Sequence, residues 1–431
     1  MPRPGDIESK SQHSLDVPSL PWLSEAIGHG FVRGGIYLIA GEPGIGKTTL
    51  ALQVLGDVAL RGMKVLYLTT EQGLADIKRG LERIHSTGGG LLPPAILQNF
   101  FMDDSVDDID TLPKFLARRV LTDGQDYHNT QVLVVDSVQG RGLSAAATQK
   151  YRALYEFGEN AKAQGLITLL IGHVTKKGQI AGPKDLEHNV DCVIYLRRAF
   201  RLRPLFVPKN RFGPAVIDPI VLLMDERGRL IKSPLSAAKS TAVYGYGGMG
   251  DELAEGQASV SLPKYGSRPE LNAPFLPSKK IKQLLTVLST LKDVDLADLS
   301  YEINCYLPRQ QRYREELDLP LSIALLSSYL QQPVDGRTLF VGELDLTRRV
   351  RPPEQTYLAS LAQLLLGPQS GTIRRVFLAK EAVGRLSKMQ PDKNGPHVGD
   401  AIEIVGVADL ETVLQELWPT LLADIAAKTS L

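Results

Sequence analysis

Cysteine is nearly absent from this 431-residue sequence, which holds only Cys192 and Cys305. Two thiols so far apart exclude a disulfide framework and a four-ligand zinc site, and a reducing, cytoplasmic setting is expected. Long hydrophobic runs are missing too. No stretch approaches the roughly 20 apolar residues of a bilayer-spanning helix, and the opening MPRPGDIESKSQHS lacks the apolar centre of a secretory signal. Neither a membrane span nor secretion is therefore expected. Nor is there an excess of charge. Lys+Arg number 49 and Asp+Glu 48, so a polyanionic partner would have to be met by a local patch. With 43% apolar and 23% charged residues the chain is not of the disordered class, and its length allows two or three domains.

From Gly34 to about Ile231, short apolar runs alternate with helical patterns, the order of a parallel sheet with crossover helices. Ile36 to Ala40, Val65 to Thr69, Gln131 to Val135, Leu166 to Gly172 and Cys192 to Leu196 read as buried strands. Ile220 to Met224 and Arg229 to Lys232 flank a hairpin turn at Asp225-Glu226-Arg227-Gly228. Residues 1–33 form an N-terminal segment, 34–235 a first domain, 236–277 a linker with little periodicity and several prolines, and 278–431 a second domain. The run Gly245-Tyr246-Gly247-Gly248-Met249-Gly250 matches G-x-G-x-x-G, but no strand precedes it and no helix pattern follows, so it reads as flexible chain. In the second domain Ile281, Leu284, Leu285, Leu288 and Leu291 repeat at helical spacing after Ser278. A helix around Leu319 to Leu330, strands near Thr338 to Val341, Arg374 to Ala379 and Ala401 to Val407, and a helix from Leu410 to Trp418 complete it.

Gly41-Glu42-Pro43-Gly44-Ile45-Gly46-Lys47-Thr48 satisfies G-x-x-x-x-G-K-[ST] directly between a strand and the helix that begins at Thr49. Its glycines let backbone N–H groups curl around phosphate, the helix N-terminus adds positive potential, and Lys47 brings a point charge to the β and γ oxygens of ATP. The Thr48 hydroxyl is placed to hold Mg²⁺. Gln131-Val132-Leu133-Val134-Val135-Asp136 is an apolar strand ending in an acid, as a Mg²⁺-orienting carboxylate requires. Glu71, at the end of another strand, is the candidate base for the attacking water; the alternative is an ordinary acid at a helix N-terminus.

These segments resemble the bacterial RadA/Sms family of DNA-repair ATPases, relatives of the RecA recombinase. The resemblance is carried by LIAGEPGIGKTTL from Leu38 to Leu50, VLYLTTE from Val65 to Glu71, VDSVQ from Val135 to Gln139, GHVTKKGQIAGP from Gly172 to Pro183, and KNRFG from Lys209 to Gly213. It implies an α/β fold with a RecA-like P-loop core followed by a smaller Lon-protease-like domain. It further implies a DNA-dependent ATPase of recombinational repair, forming a homohexameric ring on single-stranded or branched DNA and driving branch migration or unwinding, with a recombinase as a further partner. Under the resemblance His173 is a sensor coupling the γ phosphate to a DNA loop, and Thr175, Lys176, Lys177 and Gln179 lie in that loop, where they track a phosphate backbone. Otherwise His173 is a satisfied core histidine and the loop an ordinary solvated one. Lys209 and Arg211 match the family box that reaches a neighbouring subunit's nucleotide, where a cation stabilises charge on the transferring phosphate. The stretch Ser137 to Lys150 has the position of a second DNA loop.

The match has departures. Family members begin with a four-cysteine zinc finger, and no cysteine precedes Cys192 here, so a divergent member without it is expected. Arg197-Arg198 stands where an acidic or neutral strand continuation belongs. In the Lon-like part a working site needs a serine activated by a lysine, yet Arg314 to Leu321 offers no serine and Arg349 to Leu358 no lysine. Peptidase activity is not expected. Arg348, Arg349, Arg351, Arg374 and Arg375 are either a phosphate-facing surface or solvated cations. The competing functional reading is a KaiC-like, partner-remodelling ATPase acting on protein assemblies without DNA.

Overall fold

The computed structural model describes residues 14–87, 90–106, 111–120, 127–137, 156–173, 189–199, 202–235, 238–250, 252–292, 294–308, 312–367, 372–390 and 395–419. The chain divides into two compact units, Met1–Pro234 and Leu235–Leu431.

The first unit opens with a short pair, β1 (Ser14–Leu15) and β2 (Phe31–Val32), flanking helix α1 (Pro21–Ala26). Its main sheet contains β3 (Ile36–Gly41), β4 (Val65–Thr69), β5 (Phe100–Asp103), β6 (Val132–Asp136), β7 (Ile167–His173), β8 (Cys192–Leu196), β9 (Arg203–Asn210), β10 (Val216–Met224) and β11 (Leu230–Lys232). Their order is β11-β10-β9-β8-β3-β7-β6-β4-β5. From β8 to β5 all neighbours are parallel, and β9 to β11 extend the sheet as antiparallel strands. β3, β4, β6 and β8 are buried throughout, which explains their unbroken apolar sequences: a parallel sheet hides both faces. Helix α2 (Lys47–Leu60) is buried along nearly its whole length, so it carries no polar stripe. Helix α3 (Leu74–His85) packs beside it through Ile77, Leu81 and Ile84 and shows the expected amphipathic spacing.

Parallel register positions the chemistry. Gly41 stands opposite both His173 and Leu196, and Thr69 opposite Asp136. The carboxyl ends of β3, β4, β6, β7 and β8 thus form one edge, where open α/β sheets bind ligands.

The second unit is a seven-stranded sheet, β14-β15-β13-β12-β16-β19-β20. Its strands are β12 (Ala238–Gly245), β13 (Ala254–Ser261), β14 (Leu271–Asn272), β15 (Ser300–Tyr306), β16 (Thr338–Phe340), β19 (Arg375–Ala379) and β20 (Glu403–Val407), while β17 (Glu343–Leu344) and β18 (Val350–Arg351) form a separate hairpin. Phe340 and Phe377 face a core shared with helices Ser278–Ser289, Asp318–Leu330 and Leu410–Leu417. Their neighbours Leu339, Val376 and Leu378 face a second core under helices Gln355–Leu366 and Lys380–Ser387, as strand alternation requires.

Two readings of the sequence are corrected here. Residues 236–277 are not a linker, because β12 and β13 pair residue by residue from Ala238↔Ser261 to Gly245↔Ala254 inside the sheet. The glycine run at 245–250 is the turn joining them. Tyr246 in that turn is fully buried, its hydroxyl donating to Gly250 O at 3.0 Å. Of the five arginines left open between a phosphate-facing surface and solvated cations, three pair with acids of the same unit. Arg348 pairs with Glu411, Arg351 with Asp345 at 2.8 Å, and Arg375 with Glu403 and Glu416 at 3.2 and 3.1 Å while lying over the Phe377 ring. Where the protease comparison lacks its serine, the buried group is Asp318. Its carboxylate accepts from Lys280 Nζ (2.8 Å), Leu344 N (3.1 Å) and the Tyr313 hydroxyl. Among the described residues no helix is long and apolar enough to cross a membrane.

Candidate active site

The glycine loop leaves β3 at Gly41 and enters α2 at Lys47, with Gly46 as N-cap. Gly44 and Gly46 take φ of +70° and +111°, which side-chain-bearing residues rarely adopt, and this is why the loop needs glycine there. The turn leaves the first amides of α2 without intrahelical partners, the arrangement that receives phosphate.

Lys47 is 5% exposed. Its Nζ donates to Gly41 O and Glu42 O, both at 2.9 Å, and lies 3.2 Å from His173 Nδ1. Burial pulls its pKa below the ordinary lysine value, and the carboxylates of Asp136, Glu71 and Glu42 pull the other way. The ammonium is thus desolvated, and a phosphate would relieve that cost.

Thr48 Oγ1 donates to Asp136 Oδ2 at 2.9 Å. The same oxygen accepts from the hydroxyl of Tyr67, a fully buried side chain of β4. Burial raises the Asp136 pKa above the usual carboxylate range, opposed by the hydrogen bonds from Tyr67 and Thr48. Hydroxyl and carboxylate oxygens side by side suit a hard cation such as Mg²⁺. Among the described residues no group of three His, Cys, Asp or Glu could hold a metal ion, so such a cation would complete its shell with phosphate and water.

Glu71 follows β4 and reaches the end of β6, where its Oε1 accepts from Ser137 Oγ. Its Oε2 lies 3.6 Å from His173 Nε2. Because Lys47 can only donate, His173 Nδ1 is the acceptor, which places the ring proton on Nε2, toward Glu71. Lys47, His173, Glu71 and Ser137 thus form one continuous polar chain, supported by Ser137 N donating to Thr70 Oγ1 at 3.1 Å. Tyr67 and Ser137 were missed by sequence reasoning. The only signals were a tyrosine inside an otherwise aliphatic strand and a serine next to the acid.

Lys209 and Arg211 are not brought to this loop. In β9 Lys209 stands opposite Val193 and Asn210 opposite Cys192, at the amino end of β8, whereas the loop lies at the carboxyl end. Arg211 Nη1 pairs with Asp191 at 3.1 Å, and Asp191 also binds Lys162 Nζ (3.4 Å) and the Ile36 amide (3.1 Å). Thr175, Lys176, Lys177 and Gln179, together with 138–150, lie outside the described residues.

The family profile described as "ATPase: KaiC" matches residues 19–228, the span that carries this site. The DNA repair protein RadA of Listeria monocytogenes is 28% identical over 96% of this chain and 86% of its own length. The RadA proteins of Campylobacter jejuni (28%, 80% of this chain and 75% of that one) and Helicobacter pylori (29%, 79% and 73%) are similarly related. Among solved structures, the KaiC-like protein PH0186 of Pyrococcus horikoshii covers 52% of this chain and all of its own, at 20% identity and a TM-score of 0.42. The RadB recombinase covers 48% of this chain and 94% of its own, at 24% and 0.38. The RadA likeness runs through both units, and the ATPase profile covers the span that holds the glycine loop, so the chain is a P-loop ATPase similar to the RadA proteins.

Proposed function

We propose that this protein is a DNA-dependent ATPase of recombinational repair, which binds single-stranded DNA as a ring and uses MgATP to drive branch migration or unwinding. The observation that supports it best is the position of His173: it touches Lys47 and Glu71 and is the last residue before the lysine-bearing segment Val174 to Pro183. A triphosphate entering the loop draws Lys47 toward the β and γ oxygens and away from His173. His173 is then free to follow the γ phosphate, and its movement is passed directly to Thr175, Lys176, Lys177 and Gln179.

In hydrolysis Glu71 accepts a proton from water as the water oxygen attacks the γ phosphorus and the bond to the β–γ bridging oxygen breaks, giving ADP and phosphate. The Ser137 hydroxyl fixes one oxygen of that carboxylate. Mg²⁺, held by Thr48 and Asp136, would neutralise phosphate charge. Lys209 and Arg211 sit at the far edge of the sheet from their own loop. Cations so placed serve a nucleotide only in a neighbouring subunit, which makes turnover depend on assembly.

The test is salt-dependent binding of a fluorescent oligothymidine. Replacing Lys176 and Lys177 by alanine should weaken binding at low salt and lower the slope of log K against log salt by about 1 to 2, since about 0.7 ion is released per single-strand phosphate contact. An unchanged slope would remove the segment from the interface. No binding by the unaltered protein would favour the protein-remodelling reading.

A further inference from the structure

Two arginines that the hydrolytic mechanism does not use approach the glycine loop from β8 and β9. Arg198, 48% exposed, donates from Nη2 to Gly44 O at 3.3 Å, and its Nε lies 3.9 Å from the Glu42 carboxylate. Arg203 opens β9, and its Nη2 reaches the sulfur of Met224 at 3.4 Å. Met224 Cε in turn lies against Gly46, 3.3 Å from where a Cβ would stand. Nε and Nη1 of Arg203 are buried and have no hydrogen-bond partner among the described residues. A thioether is a poor acceptor, and a guanidinium cannot shed its proton to relieve the cost. Burial first, and the charge of Arg198 second, disfavour the cation at Arg203. The pair therefore presents unused donors and excess positive charge beside the loop.

The sheet order says which part of a nucleotide meets them. Asp136, Glu71 and His173 lie at the ends of β6, β4 and β7, on one side of β3. β8 and β9 lie on the other. A triphosphate whose γ phosphate faces Glu71 must lead its α phosphate, ribose and base away from those strands, toward Arg198 and Arg203. Loop amides and Lys47 already serve the β and γ phosphates. Guanidinium groups stack on heterocyclic rings and donate to ring nitrogens and ribose oxygens.

We propose that Arg198 and Arg203 hold the ribose and base end of the nucleotide, Arg198 by stacking its plane on the base and Arg203 by hydrogen bonding to acceptor atoms. This rests on the reading of Gly41 to Thr48 as the triphosphate site. It also gives a role to Arg198, one of the two adjacent arginines, Arg197 and Arg198, that depart from the family pattern.

The test compares a ligand that has a base with one that does not. Arg198→Ala and Arg203→Met are titrated calorimetrically, in Mg²⁺, with the β,γ-imido analogue of ATP and with inorganic tripolyphosphate. Each substitution should raise the Kd for the ATP analogue about tenfold, the loss of one charge-assisted contact, and leave that for tripolyphosphate within about twofold. Equal weakening of both ligands would show that the arginines act on the phosphate chain, and no change in either would show that they do not meet the nucleotide; both results overturn the proposal. Arg198 is half-exposed, so its variant carries the test even where Arg203→Met folds poorly. Lys47→Ala separates the two levels: it should lose both ligands, and retention of both would overturn the triphosphate site itself.

Discussion

At the scale of single residues, the site is organised by what each polar atom already binds. Glu71 is fixed by Ser137 and faces the Nε2 proton of His173, so its carboxylate is oriented before any water arrives. Glu71→Gln keeps the shape and removes the proposed base. Turnover should fall about 10²- to 10⁴-fold while ATP binding persists, read by steady-state phosphate release and by filter binding. Normal turnover would assign the base elsewhere. Tyr67 makes a different prediction, because its hydroxyl donates to the carboxylate oxygen that also accepts from Thr48. Tyr67→Phe removes a donor from a buried anion, a change of about 1.5 to 3 kcal/mol for a charged partner. The Mg²⁺ concentration at half-maximal turnover should rise about tenfold or more, with a smaller change in saturated rate. An unaltered Mg²⁺ titration would reduce Tyr67 to a packing residue.

At the scale of elements, α2 and α3 meet through a contact that the sequence did not announce. His85 ends α3 and its Nε2 lies 3.1 Å from Leu52 O, and Gly56 of α2 is glycine because a Cβ there would lie 2.0 Å from that ring nitrogen. Burial lowers the His85 pKa from 6.5, with the hydrogen bond to Leu52 opposing. A histidine that prefers to be neutral when folded takes up its proton more readily when unfolded. Its contribution is therefore intact above pH 6.5 and is lost progressively as pH falls below that value and through the lower folded-state pKa. The first unit's melting temperature should drop between pH 7.5 and 5.5, and His85→Gln, which keeps a donor for Leu52, should flatten that dependence. An equal drop in the variant would place the titration elsewhere.

The same scale explains what was legible. β3, β4, β6, β7 and β8 could be read because buried parallel strands are continuously apolar, and the phosphate loop because only glycine, lysine and a hydroxyl serve it. β12 and β13 were misread because their core-facing positions include the small residues Ala254, Gly256 and Ala258. Small size is required there: a Cβ at Gly256 would sit 3.1 Å from Leu321, and one at Gly245 2.7 Å from Pro320, both in the helix Asp318–Leu330. Close helix-on-sheet packing erased the hydrophobic signal. The contacts Tyr67 to Asp136 and Glu71 to Ser137 were hidden for another reason. They join residues far apart in sequence through the register of β4 against β6, which no local pattern encodes.

At the scale of the whole molecule, the proposal that Lys209, on β9, and Arg211, just beyond it, serve a neighbouring subunit's nucleotide would make hydrolysis a property of the assembly. Subunits bearing Lys209→Ala, mixed with unaltered subunits in rising proportion, should depress turnover more steeply than their fraction. A linear decline would argue that each subunit works alone. The most direct measurement of the central claim, that nucleotide turnover and the hold on a polynucleotide are coupled through His173, is the rate of ATP hydrolysis with and without single-stranded DNA at two salt concentrations. Turnover should be stimulated by the oligonucleotide, and more strongly at low salt. A rate indifferent to DNA at both concentrations would contradict it.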